Sequence, residues 1–221
     1  MKQIDLSTTA GKIAAYVDYN LSDHAFLRLS FRNAHWLDDR LVRSNQPWPF
    51  QLKQWRDKGV RTVINLRGGF DATFYALEKD ACARLGMTLE DFTVRSRAAP
   101  SREQILGARD LFRRVQYPAI MHCKSGADRV SLMSTLYAHF EMGQPIEQAM
   151  EQLSFRYLHL KNSRTGVLDH VFVRYLEDAA PKGISFIDWV QSDAYDAPGM
   201  TRDFHASWWG NLLADKILRR E

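Results

Sequence analysis

The sequence has little cysteine, because only Cys82 and Cys123 occur in 221 residues and they lie far apart. Two isolated cysteines exclude a disulfide framework and a cysteine-based zinc site, and they are typical of a reducing compartment. No stretch approaches the roughly 18–20 apolar residues of a membrane-spanning helix, and the first residues do not combine a cationic start with an apolar run. We therefore expect a cytoplasmic protein in which Cys82 is structural.

The chain also lacks runs of like charge, internal repeats and low-complexity tracts. Its net charge of +4 and its pI of about 9.1 are a mild bias that suits anionic ligands. A nucleic-acid-binding protein would concentrate lysine and arginine on one surface, so we expect no nucleic-acid partner. The length predicts one large domain, or one domain with an appendage.

An octapeptide at residues 122–129 carries most of the functional information in the sequence. It reads His122-Cys123-Lys124-Ser125-Gly126-Ala127-Asp128-Arg129. Residues 118–122 form a short apolar run typical of a buried strand, and residues 130–140 have helical periodicity. The octapeptide is therefore predicted to be a strand-to-helix loop that Gly126 allows to fold tightly. Free N–H groups and the positive end of the helix dipole make the start of such a helix a binding site for phosphate.

Cys123 and Arg129 are the reactive pair that we infer from this loop. The field that attracts phosphate also stabilises a thiolate, so we expect Cys123 to be ionised near neutral pH. The planar guanidinium of Arg129 is suited to bind two phosphoryl oxygens, and Lys124 adds a second positive charge. The predicted reaction is in-line attack of sulfur on phosphorus, followed by hydrolysis of the phosphocysteine by water. We expect no metal and no cofactor.

The sequence resembles the cysteine-based protein tyrosine phosphatase superfamily, in particular its small dual-specificity-type members. The signature of that superfamily is His-Cys, five residues and Arg, and residues 122–129 match it position by position. Residues 43–47 and 60–69 are similar to the opening of these phosphatases. The resemblance implies a nucleophile at Cys123, a phosphate clamp at Arg129 and a supporting His122 behind the nucleophile. The loop residues expected to contact substrate are Lys124, Ser125, Gly126 and Ala127.

Two departures from the family pattern concern the second step and the proton donor. Val130 stands where the family usually has Ser or Thr, so a hydroxyl that helps sulfur leave the phosphoenzyme is missing at this position. The general acid has two candidates. Asp91 has the spacing of the dual-specificity type, yet residues 86–94 are typical of one continuous strand. Asp128 precedes the arginine, as an aspartate does in myotubularin-like lipid phosphatases, and we favour Asp128.

Several features favour a phospholipid or a glycolipid, such as lipid A or a phosphoinositide, as substrate. One is the aspartate before the arginine. Another is the basic cluster of Arg97 with Arg95 and Arg102, which is predicted to hold additional negative charge. Apolar residues at near-helical spacing between residues 204 and 217 predict a C-terminal helix that packs on the catalytic domain or, as the alternative, contacts anionic lipid at the inner face of the membrane. The alternatives are a protein tyrosine or dual-specificity phosphatase and an impaired phosphate-binding module.

The alternation of strand and helix signals predicts an α/β fold. We expect a short, mostly parallel central sheet flanked by helices, similar to protein tyrosine phosphatases, with extra C-terminal helices. The strands are predicted at residues 41–44, 60–66, 87–94 and 118–122, and the helices at 49–58, 73–85, 101–116, 130–140, 146–155 and 167–177. The predicted domains are an N-terminal extension (1–34), the phosphatase catalytic domain (35–180) and a C-terminal helical appendage packed on it (181–221).

Overall fold

The computed structural model describes residues 5–205, and the chain divides into two compact units. The first unit comprises Met1–Thr93 and Val115–Gly126, and the second comprises Val94–Arg114 and Ala127–Glu221. The chain therefore passes from the first unit to the second inside the octapeptide, between Gly126 and Ala127.

The first unit is an α/β structure that contains all the strands found in residues 5–205. Its helices are α1 (Thr9–Asp23), α2 (Leu27–Ser30), α3 (Pro49–Asp57) and α4 (Thr73–Leu85). Its strands are β1 (His35–Trp36), β2 (Leu41–Asn45), β3 (Thr62–Asn65), β4 (Thr88–Asp91) and β5 (Ala119–Cys123).

The five strands form one sheet in the order β1-β2-β5-β3-β4. β1 is antiparallel to β2, and all other pairs are parallel. β5 is central and buried along its whole length, as expected for a short apolar run in a parallel sheet. The register pairs Asn45 with Cys123, and Asn65 with both His122 and Asp91. Cys123 and Asp91 therefore lie at the same end of the sheet, that of the carboxyl ends of the parallel strands.

Two apolar clusters hold the helices of the first unit in place. Side chains of α3 and α4 pack with the sheet in a cluster of Val42, Leu52, Trp55, Val60, Val63, Ala81, Cys82, Met87 and Ile120. α1 packs in a second cluster of Ala15, Tyr19, Ala25, Trp48 and Leu77. Full burial of one large apolar side chain contributes about 1.5–3 kcal/mol, so the second cluster is sufficient to fix α1 in this unit.

The second unit is helical in the described residues. Its helices are α5 (Arg102–Arg114), α6 (Asp128–Phe140), α7 (Ile146–Ala149), α8 (Val167–Asp178) and α9 (Phe186–Gln191), and residues 197–205 are also helical. α5 begins with a reciprocal cap, because the Ser101 N–H donates to Oε1 of Gln104 and the Gln104 N–H donates to the Ser101 hydroxyl.

The α/β fold class is confirmed, but two predicted elements were wrong in extent. The strand predicted at residues 87–94 ends at Asp91, because β3 ends at Asn65 and offers β4 no partner beyond it. The helix predicted at residues 146–155 ends at Ala149 and gives way to short 3₁₀ turns. It cannot continue to residue 155 because Leu153 has a non-helical backbone, with φ of −92° and ψ of 70°.

The predicted amphipathic helix that includes Trp208 and Trp209 lies outside the described residues. Within residues 5–205, no helix is long and apolar enough to cross a membrane. The predicted division into domains at residues 34 and 180 stays a prediction.

Candidate active site

Cys123 is the last residue of the central strand and is almost fully buried, with 2% of its surface exposed. The strand ends there because the next residues leave the ladder and form the loop that leads to α6. The thiol therefore lies at the carboxyl edge of a parallel sheet, the usual position of ligand sites in open α/β sheets.

The backbone carbonyls of the three residues after Cys123 are all held by donors of the first unit. The Gln46 N–H donates to the carbonyl of Lys124 at 3.5 Å, and the Asn33 amide donates to that of Ser125 at 3.2 Å. The fully buried Arg43 donates to that of Gly126 at 3.3 Å. In contrast, no backbone hydrogen bond within residues 5–205 engages the N–H groups of residues 125–127, which belong to the same three peptide groups. These N–H groups are available to an anion.

Gly126 is required by the close approach of the loop to β2. Its φ is +73°, and a Cβ added there would lie 2.7 Å from the backbone nitrogen of Asn45 and 2.8 Å from the carbonyl carbon of Ser44. Both contacts are shorter than real Cβ atoms allow, and both neighbours are backbone atoms of a strand. A side chain at this position would push the loop away from β2.

His122 precedes Cys123 on β5 and is fully buried. Its Nε2 lies 2.8 Å from Oε1 of Glu78, a buried carboxylate on α4. This pair joins the strand that carries the nucleophile to α4 of the same unit. Cys82, one turn further along α4, is buried in the apolar cluster, and burial together with the charge of Glu78 raises the pKa of its thiol to about 12.

Asp23, the last residue of α1, is the centre of a buried ionic network that includes Lys124. Its Oδ1 lies 2.7 Å from Nη2 of Arg67 and 3.3 Å from Nζ of Lys124, and its Oδ2 lies 2.5 Å from Nη2 of Arg28. Burial raises the pKa of Asp23, but the hydrogen bonds and charges of Arg67 and Arg28 outweigh burial and hold it below its usual value. Arg67 also donates to Gln46, the residue whose N–H holds the loop.

Asp91 lies at the same edge of the sheet and is exposed. Its Oδ1 accepts a hydrogen bond of 2.9 Å from the Asn65 amide, and its Oδ2 accepts one of 2.6 Å from the Tyr75 hydroxyl. Burial and Asp91 both raise the pKa of Tyr75. Because Asp91 ends its strand, the continuous strand that argued against it in the sequence does not exist.

In the second unit, Asp128 is the first residue of α6 and Arg129 the second, and both are half-buried. Oδ1 of Asp128 lies 2.8 Å from Nδ1 of His159. Burial raises the pKa of Asp128, but the hydrogen bonds from His159 and Thr165 outweigh burial and lower it. Nε2 of His159 lies 2.5 Å from Oδ2 of Asp169.

The remaining predicted residues have different environments. Arg97 is exposed, and its carbonyl accepts a hydrogen bond from His205. Arg102, expected to bind additional negative charge, instead donates to the carbonyls of Val190 and Ser192 at 2.8 and 2.7 Å, where α9 ends. Those two bonds use Nε and Nη2 of its guanidinium. Val130 is fully buried and offers no hydroxyl.

The sequence analysis did not identify the residues that hold the octapeptide loop or those that hold Asp128. Arg43 carried a readable signal, because a charged side chain inside an apolar strand needs a specific buried partner. Asp23 and Asp169 carried no such signal, since nothing local in the sequence indicates which distant charged residues meet.

Solved structures show what this fold is similar to. The chain is 16% identical to P. aeruginosa TpbA in a complex with pTyr, with a TM-score of 0.53 over 68% of this chain and 86% of that one. It is 18% identical to Tk-PTP in its active form, with a TM-score of 0.51 over 66% and 97%. It is 17% identical to PTPMT1, with a TM-score of 0.50 over 67% of this chain and 99% of that one. The class defined by this fold is therefore that of protein tyrosine phosphatase-like proteins.

Within that class, residues 34–171 match the PTP-NADK family, described as a DSP-PTPase phosphatase fused to NAD+ kinase, and the chain belongs to this family. It is a cysteine-dependent phosphatase of the protein tyrosine phosphatase superfamily, acting on a phosphorylated substrate. A comparison with curated proteins finds no match.

Asp23→Asn is expected to reduce the free energy of unfolding by about 3 kcal/mol at neutral pH, because it removes the counter-ion of two buried arginines. Folding lowers the pKa of Asp23, so its negative charge stabilises the fold fully at pH values above the usual carboxyl pKa. This stabilisation is lost as the pH falls through the folded-state pKa. Urea unfolding at neutral and acidic pH should therefore show a difference between variant and wild type that shrinks in acid.

The matched control is Asp57→Asn, which removes an exposed partner of Lys53 on α3. Exposed pairs contribute at most about 1 kcal/mol, so this change should be nearly neutral at both pH values. Equal losses in the two variants would contradict a structural role for the Asp23 network.

Proposed function

We propose that Cys123 is the nucleophile of this phosphatase and that residues 122–129 bind the phosphate. The observation that carries the proposal is the loop itself, in which the carbonyls of residues 124–126 are held and the N–H groups of residues 125–127 have no backbone partner in the described part of the chain. N–H groups in such an arrangement bind three equatorial phosphoryl oxygens and place the sulfur in line with the bond that breaks.

In the proposed first step, the Cys123 thiolate attacks phosphorus and the bond from phosphorus to the substrate oxygen breaks. Arg129, separated from Cys123 by five residues, binds two phosphoryl oxygens with its planar guanidinium and takes up the charge that develops on them. Water then attacks the phosphocysteine and releases inorganic phosphate and the thiolate. The buried Val130 offers no hydroxyl to the departing sulfur, and we infer that this second step is slow.

We propose Asp91, rather than the favoured sequence candidate Asp128, as the general acid. Asp91 is exposed and lies two strands from β5, about 10 Å away at the usual strand spacing, which leaves room for a leaving-group oxygen. The Tyr75 hydroxyl can donate to the ionised carboxylate or accept from the protonated acid, so this partner permits both states of the cycle. A protonated His159 only donates, which keeps Asp128 ionised.

Cys123→Ser should abolish phosphate release from nitrophenyl phosphate while inorganic phosphate still binds, because an alcohol cannot replace the thiolate but the N–H groups remain. Arg129→Lys should lower kcat/KM at least about a hundredfold, since a point charge cannot reproduce the two-pronged clamp. Steady-state kinetics and calorimetric phosphate titration measure the two effects. Undiminished turnover by the serine variant would rule out the mechanism.

Asp91→Asn should lower the rate more for alkyl phosphates than for nitrophenyl phosphate, because a good leaving group needs little protonation. The expected difference between the substrates is roughly tenfold to a hundredfold. Asp128→Asn is the matched comparison, and its effect should be similar for both substrates. The opposite ranking would assign the acid to Asp128.

We infer that the substrate joins its phosphate to an apolar body, as a phospholipid or glycolipid does. Exposed apolar side chains follow α1 at intervals of four residues and continue beyond it: Ile13, Val17, Leu21, Phe26, Leu27, Leu29 and Phe31. This surface borders the loop, because Asn45 donates to the carbonyl of Phe31 and Asn33 donates to that of Ser125. Contact with the inner face of a membrane, through this surface or the C-terminal helix predicted from the sequence, fits the same substrate class.

The second candidate substrate is a phosphotyrosyl protein, which the complex of the structurally similar TpbA with pTyr supports. The exposed Arg97 suits either candidate, because a second phosphate and an acidic peptide are both anionic.

The enzyme is expected to hydrolyse a phospholipid monoester in vesicles faster than a phosphotyrosyl peptide. The double variant Leu21→Ser/Leu27→Ser should reduce lipid turnover roughly a hundredfold, because it removes about 3 kcal/mol of apolar contact, and should spare nitrophenyl phosphate. The control is Ile184→Ser, an exposed apolar residue of the second unit. Peptide turnover without lipid turnover would favour the second candidate.

A further inference from the structure

His159 lies between two carboxylates in the interior of the second unit. Its Nδ1 is 2.8 Å from Oδ1 of Asp128 on α6, and its Nε2 is 2.5 Å from Oδ2 of Asp169 on α8. The imidazole side chain has no exposed surface, and Asp169 is nearly buried. A neutral imidazole can donate from only one nitrogen, whereas both nitrogens here face a carboxylate. Only a doubly protonated ring can donate to two ionised carboxylates at once.

The charges around the ring agree with this state. The ring is flanked by Asp128 of α6 and Asp169 of α8. Asp128 is acted on by the charge of Arg129, and Oδ1 of Asp169 lies 3.8 Å from Nζ of Lys161, in the segment that contains His159. Burial opposes a charge on His159, but its hydrogen bonds to the two carboxylates outweigh burial and raise its pKa to about 9. The ring is thus an imidazolium at neutral pH.

We propose that His159 is a positioning residue for Arg129, which it serves by holding the carboxylate of Asp128. The proposal rests on the proposed role of Arg129 as the phosphate clamp. His159 itself makes no contact with the reacting atoms. Asp128 then serves as the partner of His159 and not as the general acid.

The physical reason is competition for one guanidinium. Asp128 and Arg129 are adjacent in the first turn of α6, and the charge of Arg129 already acts on Asp128. A carboxylate without another partner would pair with that arginine and occupy the two-pronged donor that phosphate needs. His159 satisfies Asp128 from the other side, and Asp169 holds His159 in the orientation that makes this possible. Arg129 then remains available to phosphate.

His159→Gln and Asp169→Asn test the proposal in the Cys123→Ser protein, with inorganic phosphate as the probe. Each change should weaken phosphate binding about tenfold, the effect expected when one charge-assisted hydrogen bond is lost. The matched control is Asp178→Asn, which removes an exposed carboxylate of α8 that pairs with Arg174. It should leave the affinity unchanged. Titrations are made where circular dichroism shows all variants folded.

The pH profile of the active enzyme gives a readout that a merely structural role would not move. With nitrophenyl phosphate, wild-type kcat/KM should fall as pH rises through about 9, where His159 loses its proton. Asp169→Asn removes a charge that stabilises the imidazolium, so the fall should begin about one pH unit lower. Asp178→Asn should follow the wild type.

Each outcome decides one question. Wild-type phosphate affinity and an unchanged profile in folded His159→Gln and Asp169→Asn variants would overturn the positioning role. An NMR titration of wild-type His159 with a midpoint at or below the ordinary value of 6.5 would do the same and requires no variant. If the wild-type enzyme showed no Cys123-dependent turnover but His159→Gln still weakened phosphate binding, the proposed function would fail and the positioning role would stand.

Discussion

The fixed direction of three successive peptide groups is the constraint on which the site depends. Each peptide group carries the carbonyl of one residue and the N–H of the next residue on opposite sides, so holding the carbonyl outward directs the following N–H inward. Gln46, Asn33 and Arg43 hold the carbonyls of Lys124, Ser125 and Gly126 in this way. The shape of the phosphate loop is therefore set by β2 and the chain before it as much as by the octapeptide.

Much of the fold could be predicted because its signals are local. The short apolar run before Cys123 and the helical periodicity after Arg129 gave a strand-loop-helix unit, which the structure has in β5 and α6. Element ends were less predictable, because they depend on partners elsewhere. β4 ends at Asp91 only because β3 ends at Asn65, and no pattern within residues 87–94 contains that information.

The charged pairs around the site could not be predicted, because tertiary structure decides which charges meet. Asp23 and Arg67 are 44 residues apart, and Asp128 and His159 are 31 apart. Each residue alone is typical of a solvated surface, and only burial makes its partner necessary. The sequence shows the position of Asp128 in the octapeptide but not its partner His159. The structure adds that partner and so changes the interpretation of Asp128.

Through the network around Asp23, the residues that precede the matched family region influence which substrates an enzyme of this family accepts. The match to the family begins at residue 34, whereas the carboxylate beside Lys124 lies on α1. At 4 Å near a protein surface, one unit charge changes the local energy of another by about 4 kcal/mol. Two relatives with identical phosphate loops but different N-terminal helices would therefore differ in their preference for singly or multiply charged esters. Substrate range can diverge in this way while the chemistry at the loop stays the same.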